Sequence, residues 1–128
     1  MWGSPPFFIP DRCVVDVRNL GAALDWYKEK LSLQESHDRR EDDSGRPFAD
    51  LCLSKHDEAC FSLIELGPGA SPEKRHNVVY AKKLEKALEW FTERGVSVEA
   101  ITTDSGGNHF FRFYDLDRNV IEVCVEPG

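Results

Sequence analysis

The sequence is short of basic charge: 16 Lys and Arg stand against 23 Asp and Glu, a formal net charge of −7 over 128 residues. Nucleic-acid binding rests on clustered Lys and Arg that neutralise phosphates, and no basic run is present. The two Arg-containing segments, Asp38-Arg39-Arg40-Glu41-Asp42-Asp43 and Glu73-Lys74-Arg75-His76, are interleaved with acids and read as solvated surface. The balance argues against a nucleic-acid partner. A long apolar run is also lacking, which argues against a membrane span. The start, Met1-Trp2-Gly3-Ser4-Pro5-Pro6, has neither the charged nor the apolar region of an export signal, so a cytoplasmic protein is expected. No C-x-x-C pair occurs among Cys13, Cys52, Cys60 and Cys124, and the expectation is four reduced thiols packed as small hydrophobes. What remains, 41% hydrophobic, 30% charged and 11% aromatic, is the composition of one soluble globular domain. A chain of this length buries about two thirds of its unfolded surface, so neither disulfide nor metal is needed for stability alone.

An internal repeat organises the chain. With residues 76–95 laid under residues 12–31, seven of twenty positions are identical: Val14/Val78, Val15/Val79, Leu20/Leu84, Ala23/Ala87, Leu24/Leu88, Trp26/Trp90 and Glu29/Glu93. Each copy is a short β-branched run followed by a helix. Leu20, Ala23, Leu24, Tyr27 and Leu31 recur at helical spacing in the first, and Leu84, Ala87, Leu88 and Phe91 in the second. Asn19 suits an N-cap, Gly95 a left-handed helix end, and Trp26 and Trp90 matched packing anchors.

Strand character follows each helix, at Leu33–Arg39, Phe48–Ser54 and Ala59–Leu66, then at Ser97–Thr102, His109–Tyr114 and Val120–Val125. Turn chemistry separates them at Asp43–Pro47, Lys55–Glu58, Asp104–Asn108 and Asp115–Asn119. Gly67-Pro68-Gly69-Ala70-Ser71-Pro72 reads as a linker. The expectation is therefore an α+β fold of two βαβββ modules in one domain, module 1 at about 8–66, a linker at 67–75 and module 2 at about 76–126. The halves also end alike, Leu63-Ile64-Glu65 and Val120-Ile121-Glu122, each with a carboxylate inside an apolar strand. An exposed edge strand would explain one such Glu; recurrence at matched places points to a shared site.

A repeated βαβββ unit, with Asn19-Leu20 and Trp26-Tyr27 at the first helix and Asp115-Leu116-Asp117-Arg118-Asn119-Val120-Ile121-Glu122 near the end, resembles the vicinal oxygen chelate superfamily of glyoxalases, bleomycin resistance proteins and extradiol dioxygenases. The resemblance spans residues 8–126. It implies that the modules form a half-open cup, that chains pair as homodimers, and that a divalent metal (Mn, Ni, Co, Fe or Zn) is held by the first and last strands of each module. Carried over, the last-strand ligands are Glu65 and Glu122, and the first-strand positions fall on Arg12 and His76. Leu116 and Arg118 depart from the family's Pro and Gly, which leaves Asn119 to take a positive φ.

Arg12 is the larger departure, because a guanidinium has no lone pair to offer a metal. At an effective dielectric near 20, one positive charge about 6 Å from a divalent ion costs on the order of 5 kcal/mol. Two readings follow. In one, Arg12 turns away, His76, Glu122 and Glu65 hold a metal, and Glu122 or Glu65 serves as base in a lyase, isomerase or dioxygenase reaction. In the other, favoured here, Arg12 takes the ion's place and pairs with Glu122 or Glu65. Arg12 and Arg112 then anchor a small anionic ligand without metal. Strand alternation puts Val14, Asp16, Val78 and Tyr80 on the face of Arg12 and His76, and Cys124 with Glu122. Tyr80, Arg112 and Phe113 are the further substrate-contact candidates. Arg112 could instead brace Asp16. His37, His56 and His109 read as surface or satisfied core residues.

Overall fold

In the computed structural model, described for residues 5–35, 40–41, 45–53 and 61–126, the apolar β-branched runs open each half as strands: β1 (Cys13–Val17) and β6 (Asn77–Ala81). Each leads into an amphipathic helix, α1 (Leu20–Leu31) or α2 (Leu84–Glu93), whose apolar face is buried. The remaining strands of module 1 are β2 (Gln34–Glu35), β3 (Arg40–Glu41), β4 (Pro47–Cys52) and β5 (Phe61–Glu65). Those of module 2 are β7 (Ser97–Val98), β8 (Thr102–Thr103), β9 (His109–Tyr114) and β10 (Val120–Val125).

Each module forms its own sheet, ordered β1-β5-β4-β2 with β3 on β4, and β6-β10-β9-β7 with β8 on β9. First and last strands run parallel and the rest antiparallel. The expected strand 33–39 begins as β2, with residues 36–39 outside the described ones, and β3 follows. The expected strand 97–102 is two pieces, β7 and β8. Between them Glu99 N–H bonds Arg112 O at 2.8 Å, so the chain stays attached to β9 while the regular ladder is interrupted. The expected turn at Lys55–Glu58, together with His37 and His56, lies outside the described residues.

The helix ends differ. Asn19 caps α1, its side chain accepting Ala22 N–H at 2.9 Å, and the Glu65 carboxylate accepts Leu20 N–H at 2.9 Å. Lys83 stands at the α2 cap with no side-chain hydrogen bond, and Gly95, at φ +78°, turns the chain out of that helix as expected.

The modules join along β1 and β6, where the Asn77 side chain accepts Val14 N–H at 3.3 Å and donates to Val14 O at 2.8 Å. A second clasp is the Asp115–Asn119 turn. Asp115, buried, accepts from Asp117 N–H, Asn119 N–H and, at 2.7 Å, the buried Tyr27 hydroxyl of α1. Asn119 Nδ2 reaches Asp16 O at 2.8 Å. The positive φ of this turn, 67°, falls on Arg118 itself and not on Asn119. Its guanidinium lies over the Tyr114 ring, 4.8 Å from the centroid.

The expectation of four reduced thiols fails at Cys52, which is disulfide-bonded; Cys13 and Cys124 are free. A disulfide depends on how closely the fold brings two Cα atoms, which sequence spacing does not show. Among the described residues no helix is long and apolar enough to cross a membrane.

Candidate functional site

Strand alternation sorts the side chains of both sheets into two faces. Val15, Val17, Phe61, Leu63, Val79, Phe111, Phe113, Ile121 and Val123 pack into the core beneath the helices. The opposite face carries Val14, Asp16, Asp50 and Ser62 in module 1, and Val78, Tyr80, Phe110, Arg112, Glu122 and Cys124 in module 2. This second face holds the chemistry.

In module 2 the Glu122 carboxylate is the hub. It lies 3.4 Å from Arg112 Nε, 3.6 Å from His76 Nε2 and 3.3 Å from the donating Cys124 thiol. Arg112 also lies 3.8 Å from Glu99, and its guanidinium sits over the Phe110 ring at 5.0 Å. Burial, with Glu122 accepting its hydrogen bond, pushes the Cys124 thiol up to about 12, so it stays protonated and unreactive at neutral pH.

In module 1, Arg12 Nε donates to Ser62 Oγ at 2.5 Å, and Ser62 Oγ donates to Asp50 Oδ1 at 2.5 Å. Arg12 Nη2 is 3.8 Å from the same Asp50 oxygen, while 58% of the Arg12 side chain remains exposed.

Strand register shows that these two clusters are counterparts. Val14 pairs with Ser62 and Ser62 with Asp50; in the repeat, Val78 pairs with Glu122 and Glu122 with Arg112. Arg12, Ser62 and Asp50 thus match His76, Glu122 and Arg112. Glu65 pairs with Val17 and corresponds to Val125, which pairs with Ala81. The Leu-Ile-Glu likeness of the two strand ends is therefore a register slip. Apart from Ser62 and Glu65 in one and Glu122 in the other, both strands are apolar, so pattern alone did not fix which residues are equivalent.

The predicted site residues part accordingly. His76, Glu122 and Arg112 come together. Glu65 does not join them, because its carboxylate caps α1. Arg12 is bound to neither Glu122 nor Glu65 but to Ser62 and Asp50. Phe113 is a correction: it is fully buried, stacked 4.6 Å from Phe91 under α2, since its place in β9 alternates with Arg112 and turns it to the core. Tyr80 is half-buried against Phe8, with ring centroids 5.6 Å apart. Arg112 braces Glu122 and not Asp16, which is met instead by Arg75 at 3.6 Å. His109 bonds Thr103 at 2.7 Å on the surface. Ser62 and Asp50 are absent from the sequence reading; the signal for Asp50 was a lone acid in the apolar run Phe48-Ala49-Asp50-Leu51-Cys52.

These positions can be tested against a divalent ion. Arg12 offers no lone pair, and the Ser62 hydroxyl is neutral and spent on Asp50 and Arg12. Among the described residues of the two clusters, His76, Glu122 and Asp50 are ligand types, but Glu122 is shared with Arg112 and Asp50 is held by Ser62 and Arg12. Among the described residues no group of three or more His, Cys, Asp or Glu is arranged to hold a metal. The donor set does not fit a resident divalent cation.

Comparison with known proteins agrees with this architecture. Solved structures of similar fold include a member of the glyoxalase/bleomycin resistance protein/dioxygenase superfamily from Sphaerobacter thermophilus, with TM-score 0.70, 20% identity and coverage of 91% of this chain and 95% of that one. A glyoxalase/bleomycin resistance protein/dioxygenase domain from Frankia gives TM-score 0.69, 20% identity and coverage of 93% and 97%. A glyoxalase family protein from Enterococcus faecalis gives 0.68, 17%, 88% and 94%. No curated protein matches the chain. The sequence model of the Glyoxalase/Bleomycin resistance protein/Dioxygenase superfamily matches residues 9–123, most of the chain, and the protein belongs to that superfamily.

Proposed function

We propose that the protein is a binding member of its superfamily, a homodimer that holds a small anionic molecule in the cup without a resident divalent metal. The observation that carries this reading is the setting of Arg12. Its guanidinium stands where the resemblance implies a metal ligand, is oriented through Nε by Ser62, has Nη2 3.8 Å from Asp50, and leaves more than half of the side chain exposed. A planar fork of donors with one edge anchored suits a carboxylate or phosphate. Arg112, oriented by Glu122 and Glu99, offers a second cation on the same face.

The test is a thermal-shift screen of small carboxylates and phosphate esters. Acids that protect the wild type should lose at least about tenfold in affinity with Arg12→Ala, the scale of one charge-assisted hydrogen bond. Retention of one equivalent of Mn, Ni or Fe(II) after loading and dialysis, or protection indifferent to Arg12, would overturn the reading. Light scattering on the eluting protein checks the dimer.

A further inference from the structure

Asp16 is a buried carboxylate whose hydrogen bonding is incomplete. It lies on β1 on the same face as Arg12 and Val14, and its side chain is only 2% exposed. Oδ2 accepts Glu73 N–H at 2.9 Å, but Oδ1 has no hydrogen-bond partner among the described residues. Arg75 Nη2 stands 3.6 Å from Oδ1 and is drawn to the Glu73 carboxylate at 2.9 Å. Buried acceptors in folded proteins are almost always satisfied, so one that is not calls for a donor from elsewhere. The fold itself does not require an acid here, because the counterpart of Asp16 in module 2 is Tyr80.

Asp16 lines a cavity of about 400 Å³ with Val14, Asn77, Arg118 and Val120. That cavity shares Lys74, Arg75, Asn77 and Val120 with the neighbouring recess of His76, Arg112 and Glu122. A ligand lying across the two would meet Arg112 in one recess and the Asp16 acceptor, with Arg75 and Arg118 beside it, in the other.

We infer that Asp16 is a ligand-binding residue whose Oδ1 accepts a hydrogen bond from a hydroxyl or ammonium group of the small acid held by the cup. This rests on the anionic-ligand reading above and adds a second functional group to that ligand. Hydrogen bonds to an ionised carboxylate are stronger than neutral ones, and a ligand lacking the donor leaves the acceptor unmet, so such a site discriminates strongly.

Matched titrations of hexanoate, 6-hydroxyhexanoate and 6-aminohexanoate test it, the last two separating alcohol from ammonium as the donor. At least one substituted acid should bind the wild type about tenfold or more tighter than hexanoate. Asp16→Asn, with folding checked by circular dichroism, should collapse that advantage. Arg75→Gln, which removes the competing cation, should widen it for 6-aminohexanoate and keeps the test open if Asp16→Asn does not fold. Equal binding of all three acids by the wild type, or an advantage that survives Asp16→Asn, overturns the inference while leaving the parent reading in place. Failure of the parent reading looks different: hexanoate affinity is then indifferent to Arg12→Ala. Absence of binding by all three acids overturns this inference, while the parent reading stands or falls on the wider screen of carboxylates and phosphate esters.

Discussion

At the scale of single residues, the difference between this cup and a metal site lies in two substitutable positions. Arg12 and Ser62 stand opposite His76 and Glu122 in the repeat, so Arg12→His with Ser62→Glu supplies two ligand types to the module that lacks them. The double variant is expected to retain Ni(II) or Co(II) through gel filtration where the wild type does not, read by elemental analysis; equal metal content in both proteins would refute the register-based equivalence. Part of this was legible in the sequence. Counting back from the repeated helix leucines finds Arg12 and His76, and the Asp115–Glu122 ending finds Glu122. Ser62 was hidden because a lone serine among Phe61, Leu63 and Ile64 carries no charge to mark it, and the nearby Glu65 imitated the motif three residues away. Asp50 was hidden because its role depends on which strand lies beside it.

At the scale of elements, the two helices have matching apolar faces and contrasting N-termini. Removal of the α1 cap by Asn19→Ala should cost about 0.5–2 kcal/mol in urea denaturation, and Glu65→Gln about 0.3–1 kcal/mol. Lys83→Asp gives α2 the cap that it lacks and should raise stability by about 1 kcal/mol, with a higher melting temperature as the readout. Helix positions were legible because a 3.6-residue period persists over several turns, and His109–Tyr114 and Val120–Val125 because aromatic and β-branched residues run between clear turns. The division of 97–102 into β7 and β8 was not, since a local departure from the ladder leaves the apolar pattern intact. The positive φ at Arg118 was missed for another reason: the turn is held by Asp115 accepting two backbone N–H groups, and this constraint overrides the residue's own preference.

At the scale of the molecule, the halves are held together by polar clasps as well as by packing, with Tyr27 and Asp115 linking α1 to the turn before β10. The same burial predicts an alkaline limit. Burial raises the Cys13 thiol from its ordinary 9.0 to about 12, and burial with the Asp115 carboxylate nearby raises the Tyr27 hydroxyl well above its ordinary value. The native state therefore holds these protons more tightly than the unfolded chain. Their contribution is complete below pH 9 and is lost as pH rises toward 12. Melting temperature should fall over that window, and less steeply in Cys13→Ala; an unchanged slope would refute the assignment. The internal repeat has one more consequence. Two copies of one half-cup, if chemically alike, would offer a guest two equivalent poses related by the pseudo-twofold axis. Because Arg12, Ser62 and Asp50 are matched by His76, Glu122 and Arg112, the acid sits at the third position in one copy and the second in the other, the arginine at the first and the third; the poses are no longer equivalent, and the cup has a direction that its backbone does not.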